Sequence, residues 1–326
     1  MFSARLMMRA IAPLRRFSTK AAVSGNVWKA FNDVMDKTGV KDRVAVVSCH
    51  QETSLTYRKL LELSSSFAGG LVSDLGYREG DKLALVLGGN NMESVIAHMG
   101  AAMAGVGLVT AKDPSAEQLT GCRGLLVSAD VLGDRAPQGL IADEKHPPIV
   151  AHDDWGVGSA SVSIFWDGFI DTKPLSEQKV CNETDVPLAF YSANKPTTHA
   201  ELVSLGEAAR QELSMKEEDR LCLPITMCHP FGFGSGALAV FLSGGTLVLP
   251  SSAPNPADFI TAVEEDGCTL AYLDSHIIKA LKEGNHNLTN TAKLRGGIVK
   301  IGSGNGFGLA PPVEWSGVPF TTVGKP

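Results

Sequence analysis

The chain has 326 residues, of which 44% are hydrophobic and 20% are charged, and its formal net charge is −6. This length allows a large core or two modest domains, and the composition is ordinary for a soluble globular protein. The acidic balance argues against nucleic acid as a partner, because phosphate binding needs a basic surface. No stretch approaches the ~20 uninterrupted apolar residues of a membrane-spanning helix, so no transmembrane segment is expected.

The first 24 residues differ in composition from the rest. They carry five basic residues between apolar ones, and the first acidic residue of the chain is Asp33. Such an arginine-rich, acid-free start is typical of a mitochondrial transit peptide, which we assign to residues 1–24. A disordered basic tail, or a surface helix on anionic lipid, would have the same composition. The transit peptide predicts a location in the mitochondrial matrix or on the matrix face of the inner membrane.

Between residues 26 and 110 the hydrophobic pattern alternates between helical and strand-like periods. The predicted elements are a helix over 26–39, a strand over 43–48, a helix from Thr56 to about Gly76, a strand over 82–87, a helix over 92–104 that Asn90 or Asn91 begins and Gly105 ends, and a strand over 107–110. This order indicates βαβ units around a parallel sheet.

The stretch 112–180 is less regular and carries one clear strand, near 124–132. The alternation then returns, with strands predicted at 188–192, 220–224, 245–250, 268–273 and 295–302 and helices at 201–213, 232–243, 256–266 and 275–283. The six cysteines are scattered, and no histidines stand at metal-ligand spacing. We therefore expect buried reduced thiols and no metal site.

Five segments, at 54–91, 92–119, 221–250, 258–281 and 294–304, carry a family resemblance; two of them read SLTYRKLLELSSSFAGGLVSDLGYREGDKLALVLGGNN and LCLPITMCHPFGFGSGALAVFLSGGTLVLP. Together they resemble the adenylate-forming (AMP-binding) superfamily, most of all the mitochondrial medium-chain acyl-CoA synthetases. The resemblance implies an α/β fold, the N-terminal large domain of these enzymes, with layered, mostly parallel sheets and flanking helices. It implies that residues 25–326 form this domain, with sub-lobes of approximately 25–180 and 181–326.

Members of this superfamily hold the phosphates of ATP with a loop that resembles Tyr-Thr-Ser-Gly-Thr-Thr-Gly-x-Pro-Lys-Gly. Its small residues let backbone N–H groups approach the phosphates. At that place this sequence reads Tyr191, Ser192, Ala193, Asn194, Lys195, Pro196, Thr197 and Thr198. No glycine occurs between Phe190 and Leu205, so turns with positive φ would be strained. The comparison predicts a degenerate ATP loop and no bound cofactor.

The resemblance also places an acyl pocket at His229, Phe231, Gly232 and Gly302, which we expect to be vestigial. From the residues alone, a histidine beside proline and phenylalanine is more often a packing residue than a ligand contact. The alternating glycines of 302–308 match a nucleotide loop only weakly, because no clear helix follows them. We predict instead that 302–308 is a flexible loop lining the acyl channel.

After residue 304 the sequence lacks the Tyr-Gly-x-Thr-Glu segment, the ribose-binding aspartate and the small C-terminal domain of the superfamily, and we expect that domain to be absent. No catalytic residue is therefore assigned. These losses predict a pseudoenzyme that serves as a structural or interaction subunit with other mitochondrial proteins, in an assembly such as a respiratory or ATP synthase complex. Two alternatives stay open: a binding module that keeps a residual acyl ligand, either acyl-CoA or fatty acid, and an acyl-CoA ligase completed by another chain.

Overall fold

The computed structural model describes residues 25–87, 89–110, 119, 121–128, 149–151, 164–165, 169–191, 196–289 and 293–325. The expected transit peptide, residues 1–24, lies outside the described residues. Within the described ranges, none of the helices has both the length and the apolar character that crossing a bilayer requires.

Strands and helices alternate along the described chain. The strands are β1 (Val44–Ser48), β2 (Thr53–Thr56), β3 (Lys82–Val86), β4 (Gly107–Thr110), β5 (Gly124–Ser128), β6 (Ile149–Ala151), β7 (Ile164–Phe165), β8 (Pro187–Phe190), β9 (Thr197–Thr198), β10 (Arg220–Cys222), β11 (Thr246–Leu249), β12 (Leu270–Asp274), β13 (Gly296–Lys300), β14 (Ser303–Phe307), β15 (Val313–Trp315) and β16 (Val318–Lys325). The α-helices are α1 (Val27–Met35), α2 (Tyr57–Gly69), α3 (Met92–Ala104), α4 (His199–Glu212), α5 (Leu238–Ser243), α6 (Pro256–Glu265) and α7 (Ser275–Glu283).

The described strands form two sheets. The first sheet has the order β14-β16-β13-β12-β10-β11-β1-β2, with β15 paired to β16, and its six strands from β16 to β1 run parallel. The second sheet has the order β7-β6-β5-β3-β4-β8-β9, and only β9 is antiparallel to its neighbour. Layered, mostly parallel sheets with flanking helices are the fold that the sequence predicts, and this prediction is confirmed. The sheets interleave along the chain, because β1 and β2 join the strands of the second half.

Local sequence signals set the helix ends. The side chain of Thr56 accepts a hydrogen bond from the N–H of Lys59 and begins α2, and that of Asn91 accepts one from the N–H of Ser94 and begins α3. Gly105, with φ of 66°, ends α3 in the left-handed region that glycine adopts without strain. These boundaries are the ones that the sequence predicts.

Three predicted elements differ in the structure. The helix expected from Thr56 to about Gly76 ends as α2 at Gly69 and continues as a π-helical segment, Gly70–Asp74. The helix expected over 232–243 consists of a π-helical segment, Phe231–Ala237, followed by α5. Its start is tightly confined, because a Cβ on Gly232 would lie 2.0 Å from the carbonyl oxygen of Thr226. The prediction of a flexible loop over 302–308 is wrong, because residues Ser303–Phe307 form β14, which pairs with β16. The positive φ of Gly302, Gly304 and Gly308 turns the chain at both ends and inside this irregular strand.

An aromatic cluster packs the N-terminal helix α1 against α2 and α5. The ring of Phe31 on α1 stacks on Tyr57 with centroids 5.7 Å apart, and the ring of Phe241 meets both edge-on. The Tyr57 hydroxyl is enclosed and donates to the carbonyl of Gly245 at 2.8 Å. The start of the described chain is therefore part of the main core.

Two histidines are buried and uncharged. Nδ1 of His98 lies 2.7 Å from the carbonyl oxygen of Ser94, and its ring lies 4.4 Å from that of Phe233. Nδ1 of His199 accepts a hydrogen bond from the N–H of Val27. Burial lowers the pKa of each to about 4. Below pH 6.5 the unfolded chain therefore binds protons that the folded chain does not, and stability falls until the folded-state pKa is reached.

Lowering the pH from 7.5 to 5.0 is expected to reduce the free energy of unfolding by about 2 kcal/mol for each of these histidines. Urea unfolding at the two pH values measures this loss. The variant His98→Gln should show a loss smaller by about that amount, whereas His276→Gln, which changes an exposed histidine, should match the wild type. An unchanged loss in His98→Gln would contradict the assignment.

Candidate active site at the carboxyl edges of the sheets

The chain segments that follow β8, β10 and β13 meet at one place in the molecule. All three strands are parallel members of their sheets, so these segments leave the carboxyl edges, where α/β proteins bind ligands. In the first sheet the strand order reverses at β10, since β11 lies on one side of it and β12 on the other. His229 lies in the segment after β10, at this reversal.

His229 is held as a neutral hydrogen-bond donor. Its Nδ1 accepts a hydrogen bond from the N–H of Phe231 at 3.0 Å, which leaves the proton on Nε2. Burial and, second, the charge of Lys300 lower the pKa of His229 to about 4. Its ring centroid lies 6.2 Å from that of Tyr191, the residue after β8. The structure therefore brings together one predicted pocket residue and one residue of the predicted ATP-loop position.

Lys300 adds a positive charge to this group, and sequence reasoning missed it. It is the last residue of β13, it is half-buried, and burial lowers its pKa. Its Nζ donates to the carbonyl of Gly304 at 2.8 Å and lies 5.8 Å from the centre of the Phe231 ring. A cation and a neutral donor side by side suit a ligand oxyanion.

The other predicted pocket residues shape the backbone rather than supply polar groups. Phe231 is buried and stacks on Tyr272 with centroids 5.1 Å apart. Gly232 is the second residue of the π-helical segment, where its close approach to Thr226 excludes a side chain. Gly302 is exposed, with φ of 55°, two residues beyond Lys300. A π-helical turn inside a helix is frequent at functional sites, which agrees with the position of this one after His229.

Asn90 fixes the segment that leads to His229. It follows β3 in the second sheet, yet its Nδ2 donates to the carbonyls of Leu223 and Ile225, at 3.2 and 2.6 Å. Its Oδ1 accepts a hydrogen bond from the N–H of Met227 at 2.9 Å. No local pattern in the sequence announces this contact, because the partners lie more than 130 residues away.

The residues of the predicted ATP loop divide into two groups. Ser192, Ala193, Asn194 and Lys195 lie outside the described residues. Pro196 is exposed, while Thr197 and Thr198 form β9, which pairs with β8. The Thr198 hydroxyl accepts a hydrogen bond from the N–H of Glu201, whose carboxylate accepts one from the N–H of Thr198. This reciprocal capping box begins α4, so the Thr198 side chain is engaged in the helix cap.

In the ranges that the structure describes, no cluster of three or more histidine, cysteine, aspartate or glutamate side chains is arranged to hold a metal ion. The six cysteines are free thiols, and three of them, Cys181, Cys222 and Cys268, are buried.

A profile of the AMP-binding enzyme family matches residues 32–120 and 196–312, more than half of the chain. This chain belongs to the AMP-binding enzyme family. The matched ranges include Asn90, His229 and Lys300 and leave out residues 121–195.

Curated relatives of this AMP-binding family member are named as acyl-CoA ligases. Medium-chain acyl-CoA ligase ACSF2, mitochondrial, of Rattus norvegicus is 23% identical over 87% of this chain and 52% of the relative. Acyl-CoA ligase sidI of Aspergillus fumigatus is 24% identical over 75% of this chain and 46% of the relative. The chain thus spans about half the length of the curated relatives it matches.

Solved structures share the fold. A benzoate CoA ligase from Burkholderia xenovorans LB400 aligns with a TM-score of 0.72 at 20% identity, over 91% of this chain and 60% of that one. The unliganded O-succinylbenzoate coenzyme A synthetase of Bacillus subtilis aligns with a TM-score of 0.65 at 17% identity, over 84% of this chain and 54% of that one. These likenesses confirm the large-domain fold of adenylate-forming enzymes.

The expectation of a pseudoenzyme is wrong. The chain belongs to a family of enzymes, and the relatives that it matches are acyl-CoA ligases. The expectation rested on residues 192–195, which lie outside the described residues, and on the segment missing near the end of the sequence. Neither bears on the groups that the structure describes at the carboxyl edges, where His229, Tyr191 and Lys300 are assembled.

Substitutions of Asn90 and of its neighbour Asn91 test how much the Asn90 hydrogen bonds contribute to stability. Asn90→Asp removes two donors and sets a carboxylate against two carbonyls, so it is expected to lower the free energy of unfolding by about 2–3 kcal/mol. Asn91→Asp keeps the oxygen that caps α3 and is expected to stay within about 0.5 kcal/mol of the wild type. Urea unfolding measures both, and equal effects of the two substitutions would show that Asn90 is not a special contact.

Proposed function

We propose that this protein binds a medium-chain carboxylic acid and activates it in an acyl-CoA ligase reaction. The observation that carries the proposal is the grouping of His229, Tyr191 and Lys300 at the carboxyl edges of the two sheets, in a chain of the AMP-binding enzyme family. The names of the relatives support the acyl-CoA ligase class and, for ACSF2, the medium chain length.

In the proposed reaction a carboxylate oxygen of the acid attacks the α-phosphate of ATP, and pyrophosphate leaves. The thiol of coenzyme A then attacks the acyl carbon and releases AMP. Lys300 supplies the positive charge that attracts the carboxylate, and a bound carboxylate in turn stabilises the charged form of this half-buried amine. His229 supplies an N–H that orients a carboxylate oxygen without adding charge, since its pKa lies well below neutrality.

The first test is acid-dependent pyrophosphate release by the purified protein with octanoate, Mg·ATP and coenzyme A. His229→Ala is expected to lower kcat/KM for octanoate by about tenfold or more, because it removes a fixed donor from the site. His276→Ala, which changes an exposed histidine at the start of α7, serves as the matched control and should retain activity. The absence of both octanoate binding and pyrophosphate release would refute the proposal.

The glycine-free ATP loop is expected to lower the affinity for ATP rather than to abolish the reaction. Asn194 stands at the first glycine position of the loop that the superfamily shares. Asn194→Gly lets the backbone approach a phosphate more closely and should tighten Mg·ATP binding by about threefold to tenfold, the worth of one hydrogen bond. Isothermal titration calorimetry measures this, with Asn287→Gly as a control at an exposed distant position. Equal or weaker binding in Asn194→Gly would contradict this account of the loop.

We also propose that the protein acts in mitochondria together with other mitochondrial proteins. The basic, acid-free residues 1–24 and the mitochondrial designation of ACSF2 support the location.

A further inference from the structure

Two enclosed hydroxyl groups lie at the ends of neighbouring strands in the second sheet. Strands β4 and β8 run parallel, with Leu108 opposite Ala189 and Val109 opposite Phe190. Thr110 is the last residue of β4 and Tyr191 follows β8, so these two residues are next in the same register. Both precede chain segments that leave the carboxyl edge.

The two side chains belong to the face of the second sheet that packs on the main hydrophobic core. Side chains alternate along a strand, which places Thr110 on the face of Leu108 and Tyr191 on the face of Ala189. Leu108 and Ala189 are buried in the hydrophobic core that also contains Leu247 and Leu270 of the first sheet. The contact between the rings of Tyr191 and His229 agrees with this orientation.

Among the described residues, neither hydroxyl has a hydrogen-bond partner. Thr110 Oγ1 and Tyr191 Oη are shielded from solvent, and no donor or acceptor in that part of the chain reaches either of them. Thr110 is 4% exposed as a whole residue. Buried hydroxyls in native proteins nearly always find a partner, as those of Tyr57 and Thr246 do at 2.8 Å each. The hydroxyl of Ser64 inside α2 is unpaired as well, but Thr110 and Tyr191 stand at the carboxyl edge of a parallel sheet, where ligands bind, so a ligand can supply their partner.

The surrounding groups indicate what that ligand carries. His229 presents an N–H and Lys300 an ammonium group, and both hydroxyls can donate. Four donors and one positive charge favour an oxyanion, which accepts several hydrogen bonds at once.

We infer that Thr110 and Tyr191 form a two-hydroxyl subsite that takes an oxyanion of the ligand beside His229. The inference rests on the proposed function, in which the oxyanion is the carboxylate of the acid. A phosphate of ATP has the same chemistry, so the test titrates octanoate and Mg·ATP separately.

The test uses Tyr191→Phe and Thr110→Val, which remove each hydroxyl and keep the shape of the side chain. Tyr57→Phe and Thr246→Val are the matched controls, because their hydroxyls have carbonyl partners far from the site. Without ligand, the melting temperatures of the two test variants should equal or exceed that of the wild type, whereas both controls should melt lower. Octanoate should bind about tenfold more weakly to the test variants, the usual loss for one hydrogen bond to a charged group, and normally to the controls.

The outcomes separate this inference from the proposed function. Full affinity of both test variants for octanoate and for Mg·ATP alike would overturn the subsite and leave the acid-binding proposal standing. Melting temperatures that fall as far as those of the controls would also overturn it, since the hydroxyls would then have structural partners. Loss of Mg·ATP affinity alone would support the subsite and assign it to a phosphate. A wild-type protein that binds neither ligand would refute both proposals.

Discussion

The side chain of Asn90 joins the two sheets at the point where the site is built. It follows β3 of the second sheet, yet its three side-chain hydrogen bonds to described residues go to the segment that follows β10 in the first sheet. The backbone beside it also contacts the first-sheet side of the molecule closely. A Cβ on Gly89 would lie 1.7 Å from the carbonyl oxygen of Ser252, and the N–H of Asn90 donates a hydrogen bond to that same carbonyl. This contact sets the separation of the carboxyl edges, and the relation of His229 to Tyr191 depends on it.

The electrostatics of the site follow from this close approach. A histidine at the surface would be partly charged near neutral pH, but half-burial next to Lys300 keeps His229 uncharged. The positive charge of the group is therefore carried by the lysine, while the imidazole and the two hydroxyls supply direction. A lysine that supplies charge and neutral donors that fix orientation together suit the proposed carboxylate, whose oxygen must point toward the α-phosphate of ATP to react.

Elements that depend on neighbouring residues were predictable from the sequence, and contacts between distant segments were not. The caps at Thr56 and Asn91 and the stop at Gly105 are local, and each helix end lies where its signal stands. The strand β14 escaped prediction because its glycines read as a loop, and only pairing with β16 makes it extended. In the sequence, Lys300 and Thr110 are ordinary residues at the ends of strands. Their place in the site follows only from the contacts of distant segments, which bring His229 near Lys300 and Tyr191 next to Thr110. The absence of glycine between Phe190 and Leu205 is a property of the sequence of one loop, and it is an insufficient basis for a statement about activity.

The interleaving of the sheets has a consequence for how the chain is made. Val46 of β1 pairs with Leu247 of β11, which a ribosome adds only after the entire second sheet has emerged. Until then β1 has no parallel partner, and the hairpin of β1 and β2 exposes an edge rich in valine. Contacts of such wide sequence separation form late and slow the completion of the fold. We therefore expect the newly made protein to bind chaperones before its first sheet is complete. A chain released by a ribosome that stalls between β9 and β11 would lack the strand that pairs with β1.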